Sequence, residues 1–321
     1  VARGEAATVT LTARNRGRLR SASVIAEDRC GSRPIPVPLL RLRPGRDTTV
    51  SYPVPTDRRG VVPVGPLQIT HGDPLGLTSV LRRHGEPARV WVHPRVHPLL
   101  GVPAGVARSL DGRLDRVPHG SITFDTLREY VVGDELRRVH WRTSARVGEL
   151  MVRENVDTSL PRIVVLLDNR AAAHPTVVDG VAETFESACE AAASVIAAAT
   201  RDELPVTLLL VDGDDAGEPY LDRLAAAELR GRSHTEDGIH PLRAATARLR
   251  QQRLGDTLVF LTGPGGNADL AAIGALRPAY PVLVVGLFGD TGSPPAADGM
   301  LVIAATDGAE FAADWDGARR W

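Results

Sequence analysis

Five short apolar runs partition the second half of the 321-residue chain: Ile163 to Leu167, Val206 to Val211, Thr257 to Leu261, Val282 to Leu287 and a weaker one at Met300 to Ala304. A short, continuous apolar run suits a strand buried on both faces, as in a parallel sheet. Helical spacing fills the intervals. Val181, Phe185, Ala188, Ala192, Val195, Ile196 and Ala199 recur at three- and four-residue steps along one face of a long helix. Further helical stretches run from Tyr220 to Leu229, Pro241 to Arg253, Ala268 to Leu276 and Ala309 to Arg319. The alternation predicts a doubly wound α/β domain over 161–321, with ligands expected where strands end and helices begin.

The front of the chain has a different texture. Ala7 to Ala13, Thr48 to Val54, Gly65 to Thr70 and Arg89 to His93 read as short strands. Turn signals such as Arg43-Pro44-Gly45-Arg46 and Asp57-Arg58-Arg59-Gly60 separate them. This spacing predicts an antiparallel, Ig-like β-sandwich over 1–98. Residues 99–160 read as a linker. It opens on a Gly-, Pro- and Arg-rich connection and carries a predicted helix from an N-cap at Asp134 to a C-cap at Gly148. Glu149 to Glu154 then reads as a strand or extended arm.

Every basic residue except histidine is arginine. The absence of lysine excludes a P-loop lysine, a Schiff base and any mechanism resting on a tunable ammonium. Cys30 and Cys189 are too few and too distant for a disulfide framework or a thiolate zinc site. No apolar run reaches the roughly 18 residues of a membrane span, and Val1 opens the chain without a leader pattern. A first residue other than Met points to a piece of a longer chain. Charge is split: 16 arginines face 7 acids through Leu100, whereas 13 face 24 from Asn155 onward. Two parts so different meet different electrostatic surroundings, meet each other, or simply differ in composition.

The sequence offers few reactive groups. Asp168 closes the first apolar run and faces the expected crevice, but Arg170 and Ala172 follow where oxygen ligands for a divalent ion would be needed. Metal binding is therefore disfavoured, and Arg170 is read as supplying the missing positive charge. Gly263 to Gly266 leaves a strand and enters a helix, where amides attract anions, yet tight connections use the same residues for steric reasons. Asp212-Gly213-Asp214-Asp215 lacks the spacing of a calcium loop and reads as a solvated turn. Arg138, Arg142 and Arg146 align along the predicted linker helix. Six arginines against five acids from Leu127 to Glu154 point to internal ion pairing, with no nucleic-acid partner. His140 and Trp141 read as packing residues, and no nucleophile elbow or HExxH spacing occurs.

The block Leu127 to Glu154 (LREYVVGDELRRVHWRTSARVGELMVRE) resembles the signature of the bacterial domain of unknown function 58 family. Its matching positions are Arg128, Tyr130, Gly133, Asp134, Arg137, Trp141, Ser144, Ala145, Arg146, Gly148, Leu150, Val152, Arg153 and Glu154. Arg58-Arg59-Gly60 and Asp73-Pro74-Leu75-Gly76-Leu77 resemble the family's β-rich region. The resemblance implies a von Willebrand factor A-like module, which in many relatives holds a metal through an Asp-x-Ser-x-Ser loop. Of that loop only Asp168 remains here, and Gly263 or Pro264 stands where a later Asp is expected. It also implies two membrane spans ahead of the β-rich region, a cytoplasmic setting and work beside a MoxR-type AAA+ ATPase.

These readings combine into an expected non-enzymatic interaction or scaffold module of a membrane-anchored protein. It carries a degenerate metal site and no cofactor, and the basic front lies toward the anionic leaflet. Asp168, Asn169, Arg170, Thr262, Gly263 and Asn267 are the expected partner contacts. The alternative is a metal-independent enzyme handling phosphate or nucleotide at Gly263 to Gly266.

Overall fold

The computed structural model describes residues 1–18, 25–37, 43–72, 77–103, 107–108, 114–115, 125–130, 139–155, 162–213, 219–231, 240–252, 254–290 and 299–318. They form two compact units: Val1–Val96 with Gly217–Glu228, and His97–Ala216 with Leu229–Trp321.

Among the described residues the first unit carries strands β1 (Thr8–Arg14), β2 (Ile25–Cys30), β3 (Arg33–Val37), β4 (Asp47–Pro53), β5 (Gly60–Val64), β6 (Leu67–Gly72), β7 (Ser79–His84) and β8 (Ala88–Val92). β1 and β4 make one antiparallel pair; the others make a second antiparallel sheet in the order β7-β6-β2-β5-β8, with β3 beside β2. Leu11, Ala13 and Val50 of the pair pack on Ala26, Val37 and Leu67 of the larger sheet. Val9, Tyr52 and Val54 pack on Cys30 and Val64. Two apolar clusters thus join the sheets face to face. Four of these strands, β2, β3, β5 and β7, have no counterpart in the sequence pattern above. In β2 the inward positions are Ala26, Asp28 and Cys30, and the buried carboxylate interrupts the apolar alternation. Asp28 is tolerated inside because Tyr52 donates its hydroxyl to Oδ2 at 2.7 Å and the Arg29 amide donates to Oδ1 at 2.9 Å.

The helix Tyr220–Ala226 completes this unit by packing on β5 and β8. Arg59 Nη1 donates to the carbonyls of Leu224 and Ala227 at its C-terminal end, where a cation suits the helix dipole. His93 Nε2 lies 2.7 Å from Asp222 Oδ1.

The second unit opens with a short pair, β9 (Ala107–Arg108) and β10 (Leu114–Asp115), followed by β11 (Asp125–Glu129), α1 (Trp141–Val147) and β12 (Met151–Asn155). The predicted helix from Asp134 to Gly148 is corrected here. Val139 forms an antiparallel bridge with Val152, which holds it in extended backbone, and the helix starts only at Trp141. His140 is its N-cap: the ring Nδ1 accepts from the Thr143 amide at 3.2 Å. Gly148 does close the helix, in left-handed backbone at φ 86° with its N–H on the Ser144 carbonyl. Arg138 lies outside the described residues, and Arg142 and Arg146 stand on this two-turn helix.

The remaining elements alternate: β13 (Ile163–Leu167), α2 (Glu183–Arg201), β14 (Val206–Leu210), α3 (the Tyr220–Ala226 helix already placed), α4 (Pro241–Gln252), β15 (Thr257–Thr262), α5 (Leu270–Gly274), β16 (Val282–Phe288), β17 (Leu301–Ala305) and α6 (Gly308–Gly317). The five strands are parallel in the order β14-β13-β15-β16-β17. Val164, Leu166, Phe260 and Val285 share a core with Leu242 and Leu249 of α4 and Ile273 of α5. α2 packs on β13, β15 and β16, while the ring of Phe311 in α6 lies tilted against that of Phe288, with centroids 5.5 Å apart. With both faces covered, the strands are apolar at nearly every position. The predicted helix at Ala268 to Leu276 is a 3-10 turn, Pro264–Asp269, leading into the short α5. Residues 97–101 are fastened to α2 and α6: His97 Nε2 lies 3.0 Å from Glu190 Oε2, Arg201 donates to the Leu99 carbonyl, and Trp315 Nε1 donates to Gly101. Among the described residues no helix is long and apolar enough to cross a membrane.

Candidate functional site

β13 pairs with β15 so that Leu167 lies opposite Leu261, which sets their next residues, Asp168 and Thr262, side by side at the C-terminal end of the sheet. The chain passes from β13 to β14 on one side and returns to β15 on the other, so this is the switch point where ligands of such folds collect. Three consecutive residues of the loop after β13 each reach a different anchor. Asp168 donates its amide to Leu261 at 2.8 Å. Asn169 pairs its side-chain amide with both the N–H and the carbonyl of Asp212, beyond β14. Arg170 folds back on Asp168.

That last contact dominates the crest. Arg170 Nε donates to Asp168 Oδ1 at 2.8 Å and Nη2 donates to Oδ2 at 2.6 Å, a bidentate fork. Thr262 Oγ1 donates to the same Oδ2 at 2.8 Å, and Arg170 Nη2 also reaches Asp269 Oδ2 at 2.8 Å. Asp168 is 0% exposed and the Arg170 side chain 9%, whereas Asp269 keeps 30%. Burial alone would lower the guanidinium pKa; the hydrogen bonds and charges of Asp168 and then Asp269 overcome it and raise the value. Removing one partner of such a buried pair costs about 3–5 kcal/mol.

Behind the pair, His174 Nε2 meets the Asp168 carbonyl and Nδ1 meets the Thr184 hydroxyl, each at 2.9 Å. A carbonyl only accepts, so Nε2 carries the proton and Nδ1 accepts from Thr184. Burial pushes this imidazole below its ordinary pKa, against the favourable carbonyl and charge of Asp168.

The glycine turn is packed against the same loop. A Cβ on Gly263 would come within 2.4 Å of the Ala173 carbonyl oxygen, and one on Gly265 within 2.0 Å of the Ala172 carbonyl oxygen. Gly263 is extended, at φ −94°, so close approach explains this glycine where backbone freedom does not. The amides of Gly265 and Gly266 donate to the carbonyls of Ala173 and Gly263 and so are engaged within the protein.

Most of the expected partner contacts are placed inside the crest. Asp168, Asn169, Arg170, Thr262 and Gly263 are all buried, and of the six only Asn267 is exposed. Exposed positions on this end are Ala172, Gly265, Asn267, Ala268 and a hairpin tip at 175–180. In the tip, Val178 and Val181 exchange both backbone hydrogen bonds, and Asp179 and Gly180 have φ of 50° and 74°. Positive φ at both central residues is the geometry of a type I′ hairpin turn, and it holds Val178 at 64% exposure. The Asp-Gly pair between two valine-bearing flanks is the sequence signal for this tip. Asp269 and His174 carry no comparable signal.

Residues 126–221 match the family described as Protein of unknown function DUF58. The DUF58 match takes in β11, α1, β12, β13, the crest loop, α2 and β14. No curated protein and no solved structure matches the chain. Within the DUF58 signature, Asp134 and Arg137 lie outside the described residues. Arg128 stands opposite Val152 in the β11–β12 ladder, where Leu127 faces Arg153 and Thr126 faces Glu154. Tyr130 donates its amide to Leu150 at 2.7 Å, and Ser144 Oγ accepts from the Met151 amide at 2.8 Å. Trp141 is corrected as a packing residue: it is 63% exposed, as Arg146 is exposed beside it.

A metal site of the kind implied by the family resemblance does not fit these residues. Both oxygens of Asp168 are held by a guanidinium, and the positions two and four residues on are Arg170 and Ala172. Among the described residues no group of three or more His, Cys, Asp or Glu side chains is placed to hold an ion.

Proposed function

We propose that this protein is a non-enzymatic interaction module, whose second unit is von Willebrand factor A-like and presents the crest of its parallel sheet to another protein. The observation that carries this reading is the mutual engagement of Asp168, Arg170, Thr262 and Asp269, which directs the crest's polar groups at one another. What faces outward is the hairpin tip with Val177 and Val178, together with Asn267 and Ala268. A rigid tip bearing apolar side chains loses little entropy on docking. The buried network sets the shape of that surface and is not itself a contact.

The proposed setting is a bacterial membrane-anchored protein with its soluble portion in the cytoplasm, acting as adaptor or scaffold for a MoxR-type AAA+ ATPase. Support comes from the DUF58 match and from the basic character of the front of the chain, which suits an anionic leaflet. Binding of a purified MoxR-type ATPase tests the reading. Val178→Glu with Asn267→Ala is expected to lower affinity by about tenfold or more while the melting transition stays in place; unchanged affinity would overturn it.

A further inference from the structure

Two carboxylates converge on one nitrogen of Arg170, and a hydroxyl donates to one of the two. Nη2 lies 2.6 Å from Asp168 Oδ2 and 2.8 Å from Asp269 Oδ2, and Thr262 Oγ1 lies 2.8 Å from that same Asp168 oxygen. The three oxygens come from three separate places: the end of β13, the end of β15 and the 3-10 turn before α5. Hard divalent ions gather carboxylate and hydroxyl oxygens at about 2.0–2.6 Å; here the guanidinium sits between two carboxylates, and the Thr262 hydroxyl stands beside them on Asp168.

We infer that Arg170 is a tethered substitute for a divalent cation, seated where Asp168, Asp269 and Thr262 would otherwise hold one, so that truncating it converts the crest into a cation site. The arginine is built into its seat. Its own amide is directed at Asp168 Oδ1 at 3.2 Å, and the next amide, of Ala171, donates to the Arg230 carbonyl at 2.8 Å. Two carboxylates against one guanidinium leave the cluster negative. Without the guanidinium, Asp168 would be a fully buried carboxylate beside a second one, an arrangement that demands a cation or a proton. Asp269, at 30% exposure, gives an ion its way in.

The inference deepens the reading of the crest as a metal-free recognition surface, yet it is tested separately, since cation binding and partner binding are measured independently. The full chain and its Arg170→Ala variant are titrated with Mn²⁺ by calorimetry and by electron paramagnetic resonance. The native chain is expected to show no saturable binding, and R170A to bind one Mn²⁺ and melt at a higher temperature in its presence. Arg170→Ala with Asp269→Asn should weaken that binding by about tenfold or more, because the site loses a charged ligand. Should R170A fail to fold alone, Mn²⁺ is expected to restore its circular dichroism. Arg170→Lys, which keeps a cation in place, should fold without Mn²⁺ and bind none. The inference is overturned by a folded R170A that binds no Mn²⁺ or an unfolded one that Mn²⁺ does not restore. Equal binding with and without the Asp269 change, or native binding abolished by Asp168→Asn, would overturn it as well.

Discussion

His174 Nε2 donates to the main-chain oxygen of Asp168 at 2.9 Å, while burial pushes the imidazole that supports the crest loop below its ordinary pKa despite that bond. Its other nitrogen has only the Thr184 hydroxyl, and the Phe185 ring stands edge-on at 5.3 Å. The charge of Asp168 favours an imidazolium and that of Arg170 opposes it, and burial outweighs the favourable contributions.

The pH dependence follows from the sign of that shift. A histidine whose folded pKa lies below its unfolded value, about 6.5, stabilises the fold fully above that value and loses the contribution as pH falls through the folded pKa. Urea melts at pH 7.5, 6.5 and 5.5 should therefore show stability falling toward acid. In His174→Gln the fall should be shallower, from a lower starting point. Parallel curves for the two proteins would show that this imidazole does not titrate differently on folding.

Gly265→Ala should be destabilising by about 1–3 kcal/mol, the range for forcing atoms into a packed region. The added methyl would meet the Ala172 carbonyl oxygen, which is backbone and cannot rotate away. Gly231→Ala, at a glycine with open space around its Cβ position, provides the control and should change the melting temperature little. Equal melting temperatures for both variants would count against the packing account.

In the first unit, Tyr52→Phe removes the hydroxyl donor from buried Asp28 Oδ2. Leaving a buried acceptor without its partner costs about 1–3 kcal/mol, more for a charged one. A companion change, Asp28→Asn, should reduce the penalty in the double variant, because an amide tolerates the missing donor better than a carboxylate. Additive losses in the double-mutant cycle would contradict the coupling.

Trp141→Ala should leave stability within about 0.5 kcal/mol of the native chain, as for surface changes away from special features. Ser144→Ala, on the buried face of the same helix, should cost more, since Ser144 Oγ accepts from Met151 and donates to His140. Chemical denaturation of the two variants side by side distinguishes an exposed tryptophan from a packed one.

How far the sequence reaches depends on whether each element's neighbours reinforce its own pattern. β13 to β17 are legible because strands covered on both faces are apolar at nearly every position. β2 is not, because its inward Asp28 is satisfied by Tyr52, 24 residues away. The helix boundary at Trp141 is hidden for a similar reason: Asp134 and Glu135 make a plausible start, but Val139 is drawn into a bridge with Val152.

At the crest, the spacing of Asp168 and Arg170 and the Asp-Gly turn at 179–180 are properties of the sequence alone, since each acts within a few residues. Local chemistry suffices for both. That Thr262 joins Asp168 across 94 residues and Asp269 joins Arg170 across 99, and that Asp168, Arg170 and Thr262 are buried with a hairpin tip left outside, was decided only when β13 paired with β15. Burial and convergence are products of the fold, because they depend on which strand ends become neighbours, and strand adjacency is written in no single stretch of chain.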